Sequence, residues 1–188
     1  SHNLLSSLRA VVPPSCHRWV NMGNHDDNLL ASDPRRVPRS LRGLVDWRRH
    51  PEFGEEFRKW CWVPYEKSVR GAYKVGPCVF YHGFDAGQSS DELEALQFAN
   101  FYGGYPHLLM VRGHTHRPVP PTQCRRTKSI PLPWHYANVG TAGPLNPSWM
   151  KRRDTSPWGT AMLVVECKVN RLSKLNGKCW DAELLEMP

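Results

Sequence analysis

The chain has no Cys-x-x-Cys pair: its six cysteines, Cys16, Cys61, Cys78, Cys124, Cys167 and Cys179, stand singly. That spacing excludes a zinc knuckle and a dithiol redox motif. A chain of 188 residues also buries enough surface to fold without a disulfide framework. No apolar run approaches the ~20 residues that span a bilayer, so no membrane partner is expected. The opening Ser1-His2-Asn3-Leu4-Leu5 lacks the basic and apolar blocks of a secretory signal, and the expected location is the cytoplasm. Internal repeats and low-complexity tracts are missing as well.

Negative charge is scarce. Asp and Glu number 17 against 25 Lys and Arg, for a net charge of +8. The basic residues cluster at Arg35, Arg36, Arg39 and Arg42, at Arg48 and Arg49, at Arg125, Arg126 and Lys128, and at Lys151, Arg152 and Arg153. Such a field favours a polyanionic partner, nucleic acid or nucleotide, although charge runs are often only solvated loops. The rest of the composition, 40% hydrophobic and 22% charged, is that of an ordinary globular chain, read here as one domain over residues 1–188.

Hydrophobic periodicity gives an alternating α/β pattern. Helices are expected over residues 3–12, 40–47, 52–61 and 90–102, with Ser90 as N-cap and Gly103-Gly104 as the stop. Strands are expected over 17–22, 71–75, 78–81, 108–112, 134–139, 159–166 and 178–185, with Gly76-Pro77 and Asn176-Gly177 as turns. The Pro-rich, basic stretch 118–133 reads as an extended loop or hairpin. Eight tryptophans are many for this length. Trp60, Trp62, Trp134 and Trp149 could stack on bases, but packing is the stronger reading because aromatics dominate buried area.

Three of the expected strands end in a histidine run beside glycine: Gly23-Asn24-His25-Asp26, Tyr81-His82-Gly83 and Gly113-His114-Thr115-His116. Ligands of open α/β sheets bind beyond the carboxyl ends of strands, and glycine lets the backbone turn sharply there. A single His-x-His would be weak, but three strand ends presenting His or Asn beside Gly point to a metal site. Asp26 is expected to hydrogen-bond locally, and Asp85 to be a turn residue or a support for the site. His17, His50, His107 and His135 carry no such context. Arg112 and Arg117 flank the histidine pair and are candidates for phosphate contact, Arg117 first, since guanidinium pairs bidentately with phosphate.

In order and spacing these runs resemble the last three motifs of the calcineurin-like metallophosphoesterases: Gly-Asn-His-Asp/Glu, a lone His before Gly, and Gly-His-x-His. Asn138-Val139-Gly140-Thr141 looks like the Asn-x-Gly-Ser/Thr that follows them in that superfamily. The likeness covers about residues 17 to 166. Arg112–Pro118 and Asn138–Trp158 look most like small bacterial or phage members.

The resemblance implies a four-layer α/β/β/α sandwich of two mixed sheets, truncated at its amino end. It implies two divalent ions drawn from Mn, Fe, Zn, Co or Ni, with Asn24, His82 and His114 as ligands of one ion and His116 as a ligand of the other. Asn24 would also contact substrate. His25 becomes the catalytic histidine that stabilises or protonates the leaving oxygen, while a water activated between the ions attacks a phosphoester.

The superfamily's first two motifs, Asp-x-His and Gly-Asp-x-x-Asp, are absent, since only 22 residues precede Gly23. They would supply the bridging carboxylate and the other ligands of the first metal. The leading expectation is that these residues are the carboxyl-terminal portion of a longer protein. The alternatives are a partner chain that supplies the first half, or an inactive basic module that binds nucleic acid and keeps only the fold. His114 then keeps two matched partners and His116 none, so this chain is expected to bind metal at half occupancy and to turn over little.

Overall fold

The computed structural model describes residues 2–24, 26, 51–87, 89–102, 107–125, 134–150, 154–168 and 179–187. The chain divides into two compact units, Ser1–Tyr65 and Glu66–Pro188.

In the first unit, helix α1 (His2–Val11) is followed by strand β1 (Trp19–Asn21), helix α2 (Pro51–Phe57) and strand β2 (Cys61–Val63). The expected helix at 52–61 stops at Phe57, and Cys61 opens a strand instead. The reason is pairing: β2 runs parallel to β1 in the register Trp19↔Cys61 to Asn21↔Val63, and the Met22 amide extends the ladder to the Val63 carbonyl. A β-branched and aromatic pair, Trp62-Val63, gains more on a pleated surface than in a last helical turn. Across the unit, Arg9 Nε meets Glu56 Oε1 at 2.8 Å and joins α1 to α2. The helix expected at 40–47 lies outside the described residues.

The second unit holds strands β3 (Ala72–Val75), β4 (Cys78–Tyr81), β5 (Leu109–Arg112), β6 (Pro118–Gln123) and β7 (His135–Val139), with helix α3 (Ser90–Phe101) between β4 and β5. They form one mixed sheet in the order β3-β4-β5-β7-β6. The outer pairs β3–β4 and β6–β7 are antiparallel, while β4, β5 and β7 run parallel. The carboxyl ends of β4, β5 and β7 therefore share one edge of the sheet. Strands β8 (Thr160–Cys167) and β9 (Trp180–Met187) pair antiparallel as a separate two-stranded sheet.

Strand alternation sorts the core into two faces. Val79, Tyr81 and Met110 pack with Ala95, Phe98 and Ala99 of α3, while Cys78, Leu109 and Val111 pack with Trp180, Leu163 and Val165 of β8 and β9. The five-stranded sheet thus has a helix on one side and a small sheet on the other. All six cysteines are free thiols.

Two sequence expectations shift in this unit. Pro118–Gln123, read as the start of a loop or hairpin, is an edge strand whose prolines and register slip between Val119 and Thr122 suit an edge. Ser90 is the first residue of α3 rather than its cap, and its hydroxyl donates to the Gly87 carbonyl at 2.7 Å. The Gly103-Gly104 stop lies outside the described residues. No helix among the described residues is long and apolar enough to cross a membrane.

Candidate functional site

The two histidine runs of the second unit occupy adjacent strand ends. His82 follows β4 and His114 follows β5, and their backbones are stitched together: the amides of Gly113 and His114 both donate to the His82 carbonyl, at 3.2 and 2.9 Å. The rings meet as well. His114 Nδ1 lies 3.2 Å from His82 Nε2, with the ring planes 73° apart. At that distance one ring nitrogen hydrogen-bonds the other in the metal-free chain, and the same separation lies within the about 2.9–3.4 Å between two ligands of one divalent ion.

Gly83 makes this approach possible. Its φ of +100° is a conformation that L side chains avoid, and a Cβ there would sit 2.7 Å from Arg112 Nε and 2.9 Å from His114 Cβ. His116 is placed differently. Its backbone is left-handed, φ 60°, an uncommon state for a residue with a side chain. Its ring packs edge-on against Trp158 at 4.3 Å between centroids, and its carbonyl accepts from the Gly159 amide at 3.0 Å.

Behind the histidines lies a buried polar network. Arg112, a candidate phosphate contact on sequence grounds, is not available to phosphate, because its side chain is 0% exposed and held by Asp91 and Glu94. Nε lies 3.3 Å from Asp91 Oδ1, Nη1 lies 2.9 Å from Glu94 Oε2, and Nη2 donates to the Asp85 carbonyl at 2.6 Å. Glu94 Oε1 accepts from the amides of Phe84 and Asp85. Burial pushes the Glu94 carboxyl above its ordinary range, against the opposing pull of Arg112 and the two backbone donors. Deleting one partner of such a buried set leaves an uncompensated charge, at a cost of about 3–5 kcal/mol.

The network continues through Asn138, the last-but-one residue of β7. Its side-chain amide donates to Asp91 Oδ1 at 2.8 Å and to Thr115 Oγ1 at 2.6 Å, and its carbonyl accepts from the Gly140 amide at 2.9 Å. Sequence reasoning flagged Asn138 but missed Asp91 and Glu94. Their signal was present: at positions 91, 94, 95 and 98 these two acids share a helical stripe with Ala95 and Phe98, which faces the core.

The other expected residues fall as follows. Arg117 donates to the Gly87 carbonyl at 2.9 Å on the surface. Asp85 contributes its backbone to the network, and its carboxylate pairs with Lys67 at 3.5 Å. Asn24 belongs to the first unit, half-buried just after β1, where Asp26 Oδ2 accepts from the Gly23 amide at 2.9 Å in the local role expected of it. His25 lies outside the described residues, as do the basic clusters apart from Arg125. Trp60, Trp62 and Trp134 serve packing: Trp60 and Trp62 donate to Glu56 and to the Phe57 carbonyl, and Trp134 is buried in the core.

Among the described residues, no group of three His, Cys, Asp or Glu side chains is arranged around a common metal position. The chain matches no protein-family model, no curated protein and no solved structure.

Proposed function

We propose that the protein is a metal-dependent phosphoesterase acting in the cytoplasm on nucleic acid or nucleotides. The observation that carries this reading is the His82–His114 nitrogen pair, 3.2 Å apart at the shared carboxyl edge of parallel strands. Bound divalent metal would supply an acidified water as nucleophile and neutralise charge on the phosphoryl oxygens. His82 and His114 would hold one ion, and His116 would serve the second, as the resemblance assigns them. Asn24 carries the roles of ligand and substrate contact, and His25 protonates the leaving oxygen; both assignments rest on the resemblance. Arg117, half-buried beside the loop at Gly87, is the proposed substrate contact. The sheet with a helix on one face and a second sheet on the other is taken as part of the four-layer sandwich.

A second reading, a basic nucleic-acid-binding module without catalysis, draws on the net charge of +8. Hydrolysis of a chromogenic phosphodiester with added Mn²⁺ separates the two. Little turnover is expected from the 188-residue chain. Where Asp-x-His and Gly-Asp-x-x-Asp motifs are supplied by a preceding segment or second chain, turnover is expected, with a loss of about 10²-fold or more on His25→Ala. No turnover with those motifs present, or full turnover by the His25→Ala variant, would sink the enzyme reading.

A further inference from the structure

We infer that Asn138 and Arg112 are positioning residues for the histidine pair, acting through Thr115 and through the loop that carries His82. Thr115 lies between His114 and His116, so whatever fixes Thr115 fixes the backbone of both. It is buried, and its hydroxyl accepts a 2.6 Å hydrogen bond from Asn138. The Asn138 side chain has two N–H donors and one carbonyl, and Thr115, Asp91 and Gly140 engage all of them. Its orientation is therefore fully specified.

Asp91 passes the constraint to Arg112, and Arg112 passes it to the next loop. The guanidinium holds the Asp85 carbonyl directly, and it holds the Phe84 and Asp85 amides through Glu94. The loop bearing His82 also rests on it, since Gly83 leaves room for Arg112 Nε where a Cβ would stand. One chain of hydrogen bonds and ion pairs, the Arg112–Asp91 and Arg112–Glu94 links being ion pairs, thus joins the loops after β4, β5 and β7 to the first two turns of α3. A network that served stability alone would have no need to end on the residue between the two histidines.

The consequence for metal rests on the proposed function, but the consequence for ring geometry does not, and the test reads both. Thr115→Val is nearly isosteric and removes the acceptor, whereas Thr115→Ser restores it. In the metal-free protein, long-range ¹H–¹⁵N spectra of the imidazoles are expected to shift or broaden for His82 and His114 in Thr115→Val and in Asn138→Ser. They recover in Thr115→Ser, and His135 stays unchanged in all three. Mn²⁺ affinity is expected to fall about 10–100-fold in Thr115→Val and to stay at the wild-type level in Thr115→Ser.

Spectra of a folded Thr115→Val that superimpose on the wild type at both rings would overturn the inference. So would failure of both Thr115→Val and Asn138→Ser to fold while Thr115→Ser folds, because the network would then be a structural core alone. If the rings shift while the wild-type protein binds no Mn²⁺, the metal reading fails and the positioning role stands.

Discussion

Gly83 and Arg112 are the residues on which the local geometry turns, and only one of them was legible in the sequence. A glycine beside histidine at a strand end marks a sharp turn, and Gly83 has the positive φ that such a turn demands. Arg112 ends an apolar strand and, by sequence, stood with Arg117 as a candidate phosphate contact. Its burial depends on Asp91 and Glu94, which arrive from α3 across about twenty positions of chain, and no local pattern reports that meeting. Gly83→Ala is expected to destabilise the second unit by about 1–3 kcal/mol through backbone strain and the clash with Arg112. Urea unfolding checks the stability, and the same variant is expected to lose the close His82–His114 approach. An unchanged unfolding midpoint would mean that the loop relaxes around the methyl group.

At the level of elements, periodicity found the strands that end at the site because each is short, apolar and bounded by glycine or proline. It failed where pairing overrides propensity. Residues 52–61 read as one helix, yet Cys61–Val63 is drawn into a parallel pair with β1. The proline-rich 118–123 read as loop or hairpin, and of these it is a hairpin-like arm, antiparallel to β7 at the sheet edge, where missing donors cost nothing.

The joint between α1 and α2 carries a pH signature. The Arg9 hydrogen bond holds the Glu56 carboxyl below its ordinary value of 4.5. A carboxyl depressed in the folded state stabilises above its unfolded pKa, and that stabilisation is lost as pH falls through the folded value. Thermal melts of wild type and Arg9→Met are therefore expected to differ at pH 7 and to converge as the pH drops below about 4. A difference that persists undiminished at low pH would show that Arg9 stabilises by packing rather than by charge.

For the molecule as a whole, the sequence distributes its motif residues over two units, with Asn24 and His25 in the first and His82, His114 and His116 in the second. The second unit brings two imidazole nitrogens within 3.2 Å and backs them with a buried network, while His116 turns into a left-handed conformation against Trp158. On the proposed reading, the His-Thr-His run is a seam between two metal positions, and the His82–His114 side of it is the better furnished. The direct measurement is metal content and Co²⁺ absorption of the purified chain after equilibrium dialysis, compared across His82→Ala, His114→Ala and His116→Ala. A single bound ion is expected in the wild type, lost in His82→Ala and His114→Ala and retained in His116→Ala. A wild-type chain that binds no metal, or a His114→Ala variant that binds as the wild type does, would contradict that reading.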